Sequence, residues 1–524
     1  MQLTDEQKSI IAHVSSMSRG DTLKIEAKAG SGKTSTLVEV AKANPDKTFL
    51  YLAFNKAIVT EAEGKFPANV VVRTTHSLAY SRIVTPLRRK HKKVFVTGKF
   101  NLFALRKFMR SHEQACARYI ESRAKIDNIF SWDGVSILAK GYEDFLNSDL
   151  DESEAPDIFR IISKAVRAQE LSYTHSFYLK EYQLLHKHRE IDKADFLLLD
   201  EAQDTNPVTM GIINDCSCSK ILVGDSNQSI YSFRGAINAL ATFKADCTLY
   251  LTHCFRCPED VVSRANFFLD RYNITNNEYI PMVATGLPRK ADGATAVIAR
   301  TNTGLISAFR SLLQSPYIDS CNVSFTRPPA EIFAPVLNVL KYMDGADKYD
   351  YDSQFRFLAY FDSLDKMKYY ASKTNSFELN MAIKLAEKYG KSLHGLYQEI
   401  EKRCASFEPE KHPVVFTTAH SSKGLEFDNV ALLGDFASLR DLKEALVSDM
   451  QNGKKNRIKE DIRCLYDETN CYYVAMTRAK QKLLDITDND SEFDAKSSNS
   501  EYILDKDTNE INPQVFKQLT CKGV

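Results

Sequence analysis

The stretch Ala27-Lys28-Ala29-Gly30-Ser31-Gly32-Lys33-Thr34 decides the fold. It fits the phosphate-binding loop pattern, with Ala27 in place of the leading glycine. Thr22 to Glu26 alternates as a strand does, Gly30 and Gly32 let the backbone turn its N–H groups inward, and Thr34 opens a helix. A loop of this kind binds a nucleoside triphosphate. Ala29, Gly30, Ser31 and Gly32 are the candidates to line the phosphates. Lys33 is placed to reach the β- and γ-phosphates as a point charge, and the Thr34 hydroxyl to ligate Mg²⁺.

A second stretch, Asp200-Glu201-Ala202-Gln203-Asp204, follows the apolar run Phe196 to Leu199. Two adjacent acids straight after a fully buried strand carry a desolvation cost that a surface pair does not. Asp200 is therefore the candidate to hold the Mg²⁺ shell. Glu201 is the candidate to orient or deprotonate an attacking water.

At 524 residues the chain is too long for one core, and three or four compact units are expected. A net charge of +1 neither favours nor excludes nucleic acid, because what matters there is a basic channel on one face. No apolar run is long enough to cross a membrane, and the start at Met1 has no basic-then-apolar leader. The expectation is a cytoplasmic protein with no membrane partner. The 11 cysteines, odd in number and scattered, read as reduced thiols. Cys254-Phe-Arg-Cys257 and Cys216-Ser-Cys218 are the tight pairs. Without a second pair at metal-ligand spacing they read as buried thiols rather than as a zinc or iron–sulfur site.

Around these stretches the chain reads as alternating strands and helices. Thr4 caps a first helix, and the Gln7 amide either reads the edge of adenine or opens a solvated helix. Thr48 to Ala53 and Val70 to Thr74 read as strands that deliver Phe54-Asn55-Lys56 and Thr75-His76-Ser77 to the carboxyl edge, where ligands sit in open parallel sheets. From about 83 to 192 strand signals fade. Phe103, Leu105, Phe108 and Met109, then Ile161, Ile162, Ala165 and Val166, recur at helical spacing, so this stretch reads as an inserted helical domain. Its basic cluster, Arg88 to Lys93, suits either nucleic-acid phosphates or a solvated surface loop. Trp132, the single tryptophan, is expected in the core.

The strand Lys220 to Val223 runs into Gln228, Tyr231, Phe233 and Arg234, a phosphate-sensing amide followed closely by a stacking ring and a cation. Thr248 to Leu251 leads to Phe255-Arg256, a pair suited to a base and a γ-phosphate. A second set of strands is expected at Ala294 to Ala299, Asn322 to Phe325, Val414 to Thr418, Val430 to Leu433 and Leu483 to Thr487, with His420, Glu426 and Arg478 beside them. Phe377, Met381, Ala382, Leu385 and Tyr389 share a helical spacing that Gly390 stops. The stretch from 488 to 524 reads as a tail or a final helix.

The fold class is therefore α/β: two RecA-like P-loop domains with parallel sheets and mostly helical inserted subdomains. The expected division is 1–82 with 193–270 for the ATP-binding domain and 83–192 for the insertion with its basic cluster. The second domain takes 271–326 with 414–524, and a reduced helical insertion takes 327–413. A nucleotide held between two such domains, with Arg478 stabilising the transferred phosphoryl group, would open and close a cleft. A strand lying on Phe54, His76 and Phe233 would then be moved past a stacking platform.

The ordered motifs, from Gln7 through Arg478, resemble the superfamily 1 DNA helicases of the UvrD/Rep type. Phe54-Asn-Lys56, Thr75 to Tyr80, Phe255-Arg256 and Phe377 to Gly390 are most similar to the helicase part of the F-box DNA helicases. The resemblance implies ATP and Mg²⁺ as cofactors, with Gln7 reading adenine and Phe255 stacked on it. It gives Lys33 and Thr34 to the phosphates and Mg²⁺, Asp200 to the metal, and Glu201 to the catalytic base. Gln228, Arg256 and Arg478 would sense the γ-phosphate, and Glu426 would contact the ribose. Phe54, Asn55, His76, Tyr231, Phe233, Arg234 and His420 would face DNA.

The resemblance further implies 3′-to-5′ travel on single-stranded DNA, action at DNA junctions, a single-strand-binding protein or nuclease as partner, and a place in repair or recombination. Departures are Lys28 where a glycine is frequent, Phe233 where many relatives have tryptophan, and a short stretch between Asn302 and Thr418. No room is left for an F-box ahead of Gln7, so recruitment of a ubiquitin ligase is not expected. The alternative, a non-catalytic nucleic-acid-binding scaffold, is disfavoured by the retention of Lys33, Glu201 and Arg478. A small-molecule kinase would leave the second sheet unexplained.

Overall fold

The computed structural model describes residues 3–53, 56–90, 95–98, 100–126, 128–185, 189–232, 235–272, 279–286, 293–313, 322–347, 349–373, 376–405, 414–453, 455–493, 504–505 and 510–511. The chain falls into two compact units, Met1–Ala27 with Gly32–Leu251, and Lys28–Ser31 with Thr252–Val524.

In the first unit six strands form one parallel sheet: β1 (Thr22–Ala27), β2 (Phe49–Ala53), β3 (Val70–Thr74), β4 (Phe196–Leu199), β5 (Ser219–Gly224) and β6 (Cys247–Leu251). Their order is β3-β2-β4-β5-β1-β6. Strands β2, β4 and β5 are buried along their whole length, which is why β2 and β4 are continuous apolar runs and β5 carries Ile221, Leu222 and Val223 in succession. One sheet face packs Ile25, Leu37, Tyr51, Leu198 and Val223 into a single cluster. The other face, with Leu50, Leu52, Leu197, Leu199 and Leu222, shares its cluster with the helical insertion through Leu138, Tyr142, Phe159, Ile162 and Phe177.

The insertion is helical as expected, with helices at Leu102–Ser111, Glu113–Glu121, Trp132–Leu146, Asp157–Arg167 and His175–Gln183. Trp132 opens a helix and is half-buried, packed against this same core cluster, with Phe103 edge-on at 4.9 Å and the Arg106 guanidinium 4.8 Å from its ring centre. The front of the basic cluster is the helix Thr85–Lys90 rather than a loop, and residues 91–94 lie outside the described residues.

The second unit holds another six-stranded parallel sheet: β7 (Thr295–Ala299), β8 (Val323–Phe325), β9 (Cys404–Ala405), β10 (Val414–Thr418), β11 (Phe427–Leu432) and β12 (Ala479–Asp485). The order is β9-β8-β10-β7-β11-β12. Helices Pro329–Met343, Leu364–Lys373, Phe377–Tyr389 and Ser392–Arg403 intervene between β8 and β9. Gly390 closes the third of them at φ 51°, a left-handed value that glycine adopts without strain. Beyond β12 the described residues contain one short helix, Asp490–Phe493, and a small antiparallel pair, Leu504–Asp505 with Glu510–Ile511. No helix among the described residues is long and apolar enough to cross a membrane.

Candidate active site

Strand β1 ends at Ala27, and the phosphate loop leads into the helix Lys33–Ala43, whose first residue is Lys33. Gly32, at φ 78°, turns the chain into that helix. Gly30 sits at φ +67°, and a Cβ there would stand 2.5 Å from the Cβ of Arg256 and 3.1 Å from the sulfur of Cys254. No other residue type fits. Within the second unit the first half of the loop is held at three points. The Gly30 carbonyl accepts from the Phe255 N–H at 2.8 Å, the Ala29 N–H donates to the Tyr473 hydroxyl at 3.0 Å, and the Lys28 ammonium lies 4.7 Å from the Tyr279 ring centre. The Ser31 hydroxyl is buried and makes no hydrogen bond among the described residues.

In the first unit, β4 carries Asp200 and Glu201 to the carboxyl edge, two strands from β1. The Lys33 ammonium faces the Glu201 carboxylate at 3.9 Å. Asp200 is buried, accepting the Tyr51 hydroxyl on one oxygen and the Glu201 N–H at 2.8 Å on the other. Burial, and after it the charge of Glu201, raise the pKa of the Asp200 carboxyl above its ordinary range, against the pull of the Tyr51 hydrogen bond. Glu201 itself has φ 50°, one of only two non-glycine residues with positive φ among those described. Such strain persists only where the surroundings impose it.

Those surroundings are a chain of amides and acids. The Gln203 amide donates to Glu201 Oε2, and its oxygen accepts from the Asp225 N–H at 3.1 Å. The Gln228 amide donates to Asp225 Oδ2 at 2.8 Å. Gly224 has no side chain because a Cβ would come 2.2 Å from the Gln203 amide oxygen. Gln203 and Asp225 were inside motifs read from the sequence without being given a role. Tyr51 was missed entirely, although a tyrosine amid Phe49, Leu50 and Leu52 was a signal that its hydroxyl needs a buried partner.

Gln7 is not at a solvated helix start. It is buried, its amide oxygen accepts from the Thr4 N–H at 3.0 Å, and its nitrogen donates to Thr36 Oγ1 at 3.0 Å. That ties it to the helix that begins at Lys33. In the second unit, Arg256 Nε donates to a carboxylate oxygen of Glu426 at 2.9 Å, joining two predicted site residues in one ion pair. Arg478 is only 1 % exposed, and its guanidinium donates to the carbonyls of Val474 (2.8 Å) and Leu425 (3.2 Å) and to Thr477 Oγ1 (3.2 Å).

Of the residues expected to face DNA, His76 follows β3 on a short helix capped by Thr74. Its ring is edge-on to His175 (6.4 Å between centres) and to Tyr178 (5.9 Å). Tyr178 in turn meets Tyr80 at 5.8 Å, and Arg88 lies 5.4 Å from the Tyr80 ring centre. His175 and Tyr178 went unread because they are almost a hundred residues away in sequence. His420 sits on the short helix Ala419–Ser422 after β10, and Tyr231 is half-buried. Phe54, Asn55, Phe233 and Arg234 lie outside the described residues.

The residues present fit a Mg²⁺–triphosphate. In the first unit Lys33 and two acids, Asp200 and Glu201, stand at one sheet edge, and in the second unit Gly30 admits no Cβ and the buried Ser31 hydroxyl lacks a partner among the described residues; each is a group of that kind. Among the described residues no cluster of three or more His, Cys, Asp or Glu could hold a metal alone.

Two family models match the chain: the UvrD/REP helicase N-terminal domain over residues 3–248, and the UvrD-like helicase C-terminal domain over residues 333–489. Among curated proteins the chain is similar to F-box DNA helicase 1 of Gallus gallus, 29% identical over 92% of this chain and 49% of that protein. It is likewise similar to F-box DNA helicase protein 1 of Schizosaccharomyces pombe, 28% identical over 92% of this chain and 57% of that protein. A putative ATP-dependent DNA helicase, YjcD, of Bacillus subtilis is 24% identical over 55% of this chain and 51% of that protein. The chain thus spans about half the length of the curated relatives it matches.

Proposed function

Because the chain belongs to the UvrD-like DNA helicase family, we propose that it hydrolyses ATP to travel along single-stranded DNA from 3′ to 5′, separating duplex or removing bound proteins. The observation that carries this reading is the Lys33 ammonium facing Glu201 beside the buried Asp200, at the carboxyl edge of a parallel sheet. Lys33 and the loop N–H groups bind the phosphates, and Thr34 and Asp200 hold Mg²⁺. When bound, that ion neutralises charge on the phosphates and orients them. Glu201, aimed by the Gln203 amide, takes the proton of the attacking water. Arg256 and Arg478 supply positive charge to the transferred phosphoryl group, Gln7 and Phe255 take adenine, and Glu426 takes the ribose. Gln228 reports the γ-phosphate through Asp225 to Gln203.

His76, Tyr231 and His420, with Phe54, Asn55, Phe233 and Arg234, contact the strand. The division at 1–82, 83–192, 193–270, 271–326, 327–413 and 414–524 is part of the same reading, as are DNA junctions as substrate and a single-strand-binding protein or nuclease as partner. The test is Lys33→Ala, which should keep single-stranded DNA binding and lose DNA-stimulated ATP hydrolysis by about a hundredfold or more. Unchanged turnover would refute the assignment. Duplexes tailed at either end decide polarity, and streptavidin displacement on the same oligonucleotides separates protein removal from unwinding.

A further inference from the structure

Cys254 and Cys257 bracket Phe255 and Arg256, and the proposed chemistry uses neither thiol. Both are completely buried, Cys254 at the end of the strand His253–Cys254 and Cys257 two residues before the 13-residue helix Glu259–Arg271. The Cys257 N–H donates to the Cys254 sulfur at 3.3 Å, and the Cys257 thiol donates to the Thr477 carbonyl at 3.5 Å, next to Arg478. The Cys254 sulfur also lies against Gly30, where an added Cβ would meet it at 3.1 Å. Each thiol is therefore in contact with a segment assigned to ATP.

The pair differs from the other buried cysteines. The Cys257 thiol, then backbone N–H groups and the Arg256 charge, bring the Cys254 thiol down to about 6 against the opposing effect of burial. Its neighbour Cys257 is pushed well up by the adjoining Cys254 sulfur and by burial. Burial alone leads in raising Cys116, Cys216, Cys218 and Cys471. The Cys257 N–H on the Cys254 sulfur brings the two residues together, and the lowered thiol of Cys254 is the one suited to react first.

We propose that Cys254 and Cys257 are a reversible oxidation site, closing under a hydroperoxide to a disulfide whose ring contains Phe255 and Arg256, and that this ring arrests ATP turnover. The arrest rests on the nucleotide reading above; the bond itself does not. The Cys254 thiolate attacks a peroxide oxygen, forming the S–O bond as the O–O bond breaks and hydroxide leaves. Cys257, giving up its proton, attacks that sulfur; the S–S bond forms and the S–O oxygen departs as water. Two thiols and one hydrogen peroxide thus yield one disulfide and two waters. Because both sulfurs are buried, oxidation waits on local opening of the Lys28–Ser31 segment. A bound nucleotide analogue should therefore slow it.

The full chain is reduced, exposed to hydrogen peroxide, denatured, alkylated and digested, and assayed in parallel for ATP turnover on single-stranded DNA. The expected result is a 254–257 peptide lacking two hydrogens, a fall in turnover of about tenfold or more, and recovery with dithiothreitol. Cys257→Ser should instead leave a Cys254 sulfenic acid that dimedone captures. The proposal is overturned if both sulfurs remain separately alkylatable after exposures that oxidise the exposed Cys464, or if the disulfide forms and turnover is unchanged. A reduced chain that hydrolyses no ATP would instead sink the nucleotide reading, and the peptide mass would still decide the bond.

Discussion

Tyr51, on β2, donates its hydroxyl to an Asp200 oxygen at the end of the adjacent strand β4, so the acid assigned to Mg²⁺ is held by a residue outside every motif. Tyr51→Phe keeps the ring in its core cluster and removes only the hydroxyl. The expected cost to stability is about 1 kcal/mol. The expected functional change is a higher Mg²⁺ concentration for half-maximal ATP turnover, read by titrating Mg²⁺ at fixed ATP. An unchanged Mg²⁺ requirement would show that Asp200 needs no such support.

Gln203 bridges Glu201 and Asp225 with the two ends of one amide. Gln203→Ala leaves the Glu201 carboxylate unaimed without altering its charge. Turnover is expected to drop by about ten- to a hundredfold with the KM for ATP nearly constant, since orientation rather than binding is lost. Glu201→Gln, which removes the proposed base, should drop it further. Equal values of kcat for Gln203→Ala and the parent chain would remove Gln203 from the catalytic apparatus.

His76 and His175 present neighbouring rings on the insertion side of the first sheet. If a base stacks there, His76→Ala should weaken single-stranded DNA binding by about 1–3 kcal/mol. His175→Ala should weaken it less, and the double variant by less than the sum, because the two rings share Tyr178. Fluorescence anisotropy with a labelled oligonucleotide measures all three, and strict additivity would separate the two residues.

Lys180 is buried in the insertion, its ammonium donating to the carbonyls of Ser148 and Leu150 and to the Gln183 amide oxygen. Burial pushes it down to about 8, against the pull of Asp149, Asp151, Glu154 and Glu152. Between about pH 8 and about pH 10 the unfolded chain holds this proton more firmly than the folded one, so the folded state gains stability as pH rises. A shift of that size is worth on the order of 3 kcal/mol in full. Thermal unfolding across this window should show the parent chain gaining on Lys180→Met; parallel curves would contradict it.

Much of the fold could be read from the chain because β2 and β4, most of β7, the middle of β5 and the start of β10 are apolar runs, the pattern that strands covered on both faces require, while β1 alternates as a half-covered strand does. Where burial recruits polar groups, the pattern fails. Strand β11 begins at Phe427 rather than Val430 because Asp428 is buried against the Lys480 ammonium at 3.1 Å, and that same lysine lies in the early part of β12. Strand β9, two residues long, is too short for any period to show. The loop, the acids and the ion-pairing arginine of the site were legible as local spacings. The side chains that hold them, Tyr51 on Asp200 and Tyr473 on Ala29, act across 149 and 444 residues, distances over which spacing carries no information.

The left-handed backbone at Glu201 sets two demands of the chain against each other. Glycine there would relax the main chain and lengthen the life of the native state, yet it would delete the carboxylate. With Glu201 as the proposed base, a screen for thermal endurance alone should drift toward Glu201→Gly and collect inert proteins, setting endurance against catalysis at this one residue.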